Sequence, residues 1–198
     1  MDKQTSKPHA DTVLSLLLFA PPNRLVIYGV SSPASTARKV WTAEALAGEL
    51  RRVIHTLLHV CGNGAKVVMG DMNAVKDAGD RSSGRLQSYD DNPHAPWRVL
   101  QESNLIDLWR YKLPDVEAHS FVVKDGAPCS RIDQCWVDQG LINWGRGGGG
   151  GMRIAMTVKT EPLSPDHRSL LLRLPPYFTR AAGGEGLCTA ISAAPKPV

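Results

Sequence analysis

Eight residues in four widely separated places carry side chains that could do chemistry together. Asp71 and Asn73 stand at the end of an apolar run in "KVVMGDMNAV" (66–75). Ser130, Arg131 and Asp133 stand at the start of "IDQCWVD" (132–138), and Asp166 and His167 directly precede "RSLLLRL" (168–174). Tyr28 is the eighth, within "RLVIYGV" (24–30). Carboxylates are the hard oxygen ligands that Mg²⁺ or Mn²⁺ accepts. An imidazole trades a proton near neutrality, and a carboxylate on its second nitrogen fixes its tautomer. An amide supplies both a donor and an acceptor for a water or a phosphate oxygen. Such a set suits metal-assisted hydrolysis of a phosphoester. Taken singly, each has a plainer reading: an Asp after a strand forms turns or caps helices, and Arg131 with Asp133 could be an ion pair of small worth. Their shared placement at the tips of apolar strands is what joins them, because a rigid sheet holds side chains where loops give access.

The elements that must position them follow from periodicity. "TVLSLLLFA" (12–20) and "RLVIYGV" (24–30) read as two strands of a hairpin turned at "PPN". The first stretch is too short for the roughly 20 apolar residues of a membrane span. Residues 37–61 place Val40, Trp41, Leu46, Leu50, Val53, Ile54, Leu57, Leu58 and Cys61 near helical spacing, with "GNG" as the stop. A strand at 65–70 follows. Residues 74–94 are polar and aperiodic and read as a long surface loop, functional or disordered. A short helix is expected at 95–104, with strands at 119–123, 132–138, 152–160 and 168–174. "GRGGGGG" (145–151) reads as a flexible loop. Hairpin, helix and strand in this order indicate a mixed α/β domain. A disordered leader is expected over residues 1–11, one domain over 12–175, and a disordered Ala-, Gly- and Pro-rich tail over 176–198.

Composition bounds the partners. The chain of 198 residues has a net charge of +4 and 42% hydrophobic content, enough for one domain with a real core. The mild positive charge, with Lys76, Arg81 and Arg85 in the long loop, permits a polyanion. Four scattered cysteines form no CxxC and no zinc-finger spacing, so neither a structural zinc site nor a disulfide framework is expected. Cys135 reads as a small buried hydrophobe.

At these residues the sequence resembles the endonuclease/exonuclease/phosphatase superfamily. "GDMNA" (70–74) is similar to its Gly-Asp-x-Asn motif, "CSRIDQCWV" (129–137) to its Ser-Arg-Ile-Asp strand, and "SPDHRSLLL" (164–172) to its Ser-Asp-His motif. "LVIYGVSSP" (25–33) resembles its strand ending in Tyr, and "SNLIDLWRYKLPDVEAHSFV" (103–122) resembles a stretch of the non-LTR retroelement endonucleases, near the apurinic branch. The resemblance implies a DNase I-like fold of the mixed α/β (α+β) kind: a two-sheet β-sandwich flanked by helices, incomplete at the N-terminus. It implies a divalent-metal phosphodiesterase acting on DNA, with Mg²⁺ or Mn²⁺ as cofactor and no membrane partner. Asp71 would orient or deprotonate the attacking water and Asn73 would hold water and phosphate. His167 would stabilise charge on the phosphate, held by Asp133. Asp166 would sit beside the metal, Tyr28 would touch the phosphate, and Ser130 and Arg131 would bind substrate. Tyr28 could equally be a core aromatic, and Arg131 a structural ion-pair partner. The sequence departs from the family in three ways. Nothing before residue 12 supplies its N-terminal Asn or metal Glu, Pro165 replaces a Ser, and Gln134 replaces an aromatic. An inactive retroelement-derived fragment, or a phosphatase or lipid phosphodiesterase on the same fold, are the alternatives. A nuclear setting would follow from the retroelement likeness alone.

Overall fold

The computed structural model describes residues 15–20, 23–31, 47–48, 50–56, 65–122, 128–144, 153–160, 166–173 and 187–190. Apolar runs rich in Leu, Val and Ile make the strands, and their pairing gives two sheets. The larger has five strands: β1 (Ser15–Ala20), β2 (Asn23–Ser31), β3 (Ala65–Asp71), β4 (Leu105–Asp107) and β5 (Asp133–Asp138), in the spatial order β1-β2-β3-β5-β4. The smaller has three: β6 (Arg153–Thr160), β7 (Arg168–Arg173) and β8 (Leu187–Ala190), in the order β6-β7-β8. β1 and β2 form the expected antiparallel hairpin, closing at Ala20 opposite Asn23. β2 runs parallel to β3, so the chain must cross over between them, and the helical residues 50–56 lie in that crossover.

β3 is buried along its whole length, and strict alternation splits its side chains between two cores. Val68, with Trp136 of β5, faces the helices: Leu50, Val53 and Ile54 from the crossover, Val99 and Leu100 from α1 (Pro96–Glu102). Ala65, Val67 and Met69, with Cys135 and Val137 of β5, face the second sheet through Leu170 and Leu172 of β7. The protein is therefore a sandwich of two sheets with helices against the outer face of the larger one, as the resemblance implies. Two short helices complete the description: α2 (Leu108–Lys112), capped by the Asp107 carboxylate, and α3 (Gln139–Trp144).

The structure differs from the sequence reading in three segments. Residues 74–94 form the expected surface loop, exposed over 82–88, but buried charges pin it. Asp80 and Asp90 are fully buried, and Asp90 accepts the N–H groups of Val75 (2.9 Å) and Gln87 (2.7 Å) and a two-pronged bond from Arg81 (2.6 and 2.7 Å). Its carbonyl takes the Trp97 indole N–H at 2.9 Å. Aperiodic polar sequence reads as solvated, but a carboxylate given four donors can be buried. Residues 119–122 form isolated bridges rather than a strand, because Phe121 pairs with Ser130 on one side and His167 on the other. The expected tail contributes β8, paired with Leu170–Arg173 of β7. The leader 1–11 and the glycine run 145–151 lie outside the described residues. Cys135 is buried, as its apolar setting predicts.

Candidate active site

The alternation that builds the inter-sheet core also delivers its polar rim. On β3 the face of Ala65, Val67 and Met69 continues to Asp71, and on β5 the face of Cys135 and Val137 continues back to Asp133. The antiparallel register sets Asp71 directly opposite Asp133. Two carboxylates thus stand side by side where the apolar seam ends, both buried. The turn after β3 explains its glycine and asparagine. Gly70 has φ 142° and Asn73 has φ 47°, both in the region that residues with a branched or bulky side chain avoid. Asp71 closes the turn by accepting the Asn73 backbone N–H at 2.8 Å and its side-chain amide at 3.1 Å.

His167 comes from the other sheet. It sits one residue before β7, and its Nδ1–H donates to Asp133 Oδ2 at 2.9 Å. The Phe121 ring meets the imidazole edge-on, centroids 5.1 Å apart at 62°. The site therefore gathers residues 71, 73, 133 and 167 from three distant segments. Asp166 lies at the same corner, half-buried, and its carbonyl accepts the Val122 N–H at 2.8 Å.

The electrostatics follow from that gathering. Burial, then the neighbouring charge of Asp133, pushes the Asp71 carboxyl from 3.8 up to about 7, although the Asn73 bonds and His167 pull the other way. For His167, burial works against the charged form. The hydrogen bond and charge of Asp133, with the charges of Asp71 and Asp166, outweigh it and raise the imidazole above its ordinary 6.5. A carboxyl near 7 beside an imidazole that holds its proton is an acid–base pair poised at neutrality.

Of the other expected site residues, Ser130 and Arg131 are turned inward, and Tyr28 is placed by its backbone alone. Tyr28 pairs with Val68 in the β2–β3 ladder, three positions short of the rim, and the β2 residue opposite Asp71 is Ser31. The Tyr28 hydroxyl and its expected phosphate contact lie outside the described residues. Ser130 is buried, with its backbone bonded to Phe121 in both directions. Arg131 is 0% exposed and cannot reach a substrate. Its guanidinium forms a fork on Asp80 (2.8 and 2.8 Å) and bonds Asp107 (2.5 and 3.3 Å), and Arg110 adds a second cation to Asp80. Those two aspartates overcome the burial penalty and hold Arg131 charged. Arg131 is the structural ion-pair partner, and it fastens the 74–94 loop to the start of β5. Arg81 is likewise committed to Asp90, which removes it from the cations open to a polyanion.

Sequence reasoning missed Ser120, whose hydroxyl accepts the Asp133 N–H at 2.9 Å, and the positioning of His167 by Phe121. It also read Gln134 only as a departure. That side chain is buried and donates to the Ala74 carbonyl at 2.7 Å while accepting the Trp136 indole N–H at 2.8 Å, tying the turn after Asp71 to β5. Among the described residues no group of three or more His, Cys, Asp or Glu is disposed to hold a metal ion. Asp71 and Asp133 with Asp166 supply an excess of negative charge but not a finished metal cage. Among the described residues, too, no helix is long and apolar enough to cross a membrane.

The architecture is a DNase I-like fold. Its likeness to solved structures is extensive in space and slight in sequence. A 3′-5′ exonuclease from Neisseria meningitidis matches with a TM-score of 0.52 and 16% identity, over 81% of this chain and 64% of that one. The endonuclease domain of TRAS1, a telomere-specific non-LTR retrotransposon, matches with a TM-score of 0.52 and 13% identity, over 82% of this chain and 63% of that one. The chain thus spans a little under two thirds of the length of each. No protein-family model matches the sequence, and no curated protein does either.

Proposed function

We propose that this chain is a divalent-metal-dependent phosphodiester hydrolase acting on nucleic acid in the manner of an endonuclease. The observation that carries the reading is the convergence of Asp71, opposite Asp133, and His167, bonded to Asp133 at 2.9 Å. The fold shared with an exonuclease and a retroelement endonuclease domain supports nucleic acid as the substrate class. DNA is the partner we assign.

In this reading Asp71, near half-ionised at neutral pH, takes the proton of a water as its oxygen attacks phosphorus. Asn73 holds that water or a phosphate oxygen. His167, protonated and held by Asp133, stabilises the charge that develops on the phosphate oxygens as the P–O bond to the leaving strand breaks. Mg²⁺ or Mn²⁺ would supply further charge neutralisation at the phosphate, with Asp166 as the metal-side carboxylate.

A second reading is a catalytically inactive retroelement-derived fragment. The lack of a three-ligand cluster among the described residues favours it. Incubation with supercoiled plasmid separates the two. Under the first reading, nicking proceeds with Mg²⁺ or Mn²⁺, stops with chelator, and is lost in Asp71→Ala and His167→Ala. Intact plasmid at every metal concentration, with no phosphomonoester or phospholipid turned over, favours the second. Turnover of a phosphomonoester or a phospholipid without nicking would instead assign a phosphatase or lipid phosphodiesterase.

A further inference from the structure

The Asp133–His167 pair spans two sheets, and something must hold the two sheets in register at that corner. β4 pairs with β5 only from Trp136 to Asp138. On that side of β5 the ladder has ended before Asp133, and its N–H finds the Ser120 hydroxyl instead, at 2.9 Å. The same residue reaches the other sheet, because its carbonyl accepts the Arg168 N–H at 2.7 Å, one residue beyond His167. Its own N–H goes to the Ser130 carbonyl at 3.0 Å. Ser120 is fully buried, so none of these bonds competes with water. Its neighbours extend the clip: Val122 N–H bonds the Asp166 carbonyl at 2.8 Å, and the Phe121 ring stands edge-on to the imidazole.

We propose that Ser120 is the positioning residue of the site, its hydroxyl fixing Asp133 while its backbone fixes the Asp166–Arg168 corner, so that carboxylate and imidazole meet at bonding distance before substrate arrives. The inference rests on the proposed hydrolytic reading but concerns a geometry that can be observed without turnover. Ser120 touches no substrate in this account. It acts through Asp133 and His167, and a displacement of about 1 Å in such a pair is enough to lower a rate about a hundredfold.

The test uses the full chain and three forms: wild type, Ser120→Ala and Ser120→Thr. Each is followed by thermal unfolding, by proton NMR of the hydrogen-bonded His167 Nδ1–H, assigned through its absence in His167→Ala, and by plasmid nicking. Positioning predicts that Ser120→Ala, still folded, loses the low-field imidazole proton and drops in kcat by roughly 10- to 100-fold with KM unchanged. Ser120→Thr, which keeps the hydroxyl, restores both. A folded Ser120→Ala with the wild-type imidazole signal overturns the proposal, and so does a Ser120→Thr that fails to restore it. If wild type nicks nothing, the hydrolytic reading falls, and the imidazole signal alone decides for or against Ser120. Should Ser120→Ala not fold, the wild-type signal against that of Ser120→Thr decides: its presence in both supports the clip, and its absence from either overturns it.

Discussion

Arg131 and Asp133 are two residues apart, yet they belong to two clusters built on opposite electrostatic plans. Around Arg131, two carboxylates, Asp80 and Asp107, meet two guanidiniums, Arg131 and Arg110. Charge is matched, the bonds are forked, and both Asp80 and Arg131 are removed from water. Around Asp133, three carboxylates, Asp71, Asp133 and Asp166, share one imidazole. There the charge is unmatched, Asp71 holds its proton up to about 7, and His167 keeps a partly open face. The first cluster is a fastener, because its carboxylates and guanidiniums pair with one another. In the proposed reading the second is the reactive one, because its surplus negative charge is relieved by a proton or a cation brought from outside.

That contrast can be broken by substitution, and the fastener should give the largest response. Asp80→Asn leaves the Arg131 charge buried with half its partners, and urea unfolding should show a loss of about 3–5 kcal/mol or failure to fold. At the site the response should move to activity. His167→Ala should lower phosphodiester cleavage by roughly 10²–10³-fold, as loss of one transition-state donor does, while the unfolding midpoint shifts little. A large stability loss in His167→Ala with cleavage retained would invert the assignment of the two clusters. Between these lies Gln134, which belongs to neither. Gln134→Leu strands the Trp136 indole N–H and the Ala74 carbonyl and should cost about 1–3 kcal/mol by the same unfolding assay. The exposed Arg51–Glu102 pair at 3.1 Å marks the floor of the scale. Glu102→Gln should change stability by less than about 1 kcal/mol.

The sequence showed more of the reactive cluster than of the fastener, and the reason is physical. Asp71, Asn73, Asp133 and His167 sit at the tips of apolar runs, and strand periodicity makes those tips visible one by one. Their contact is the added fact, set by a register that no single stretch encodes. The fastener is assembled from Asp80, Asp107, Arg110 and Arg131, which lie in a polar loop, before a helix, on that helix and before a strand. No period links them, so Arg131 read equally as a substrate ligand or an ion-pair partner, and Asp80 only as part of a polar surface loop. Ser120 was hidden in the same way: its role depends on where β4 stops. Tyr28 stood out by residue type, but the β2–β3 register puts Ser31 opposite Asp71. Strand β8 was missed because Ala- and Gly-rich sequence shows little alternation, although β7 offers it an edge to pair with.

The most direct test of the unmatched charge is stability against pH in wild type and Asp71→Asn. The folded-state carboxyl of Asp71, at about 7, lies above its ordinary 3.8. The folded protein therefore binds that proton more tightly than the unfolded chain, and this contribution is full below about 4 and lost as pH rises through about 7. His167, also raised, adds a loss of the same sign as pH climbs past 6.5 and through its folded value. Urea unfolding across pH 4 to 8 should show wild type losing stability relative to Asp71→Asn as pH rises, with the two curves farthest apart above 7. Curves that stay parallel over the whole range would show that Asp71 ionises in the folded protein as it does in water, and the reactive cluster would lose its defining property.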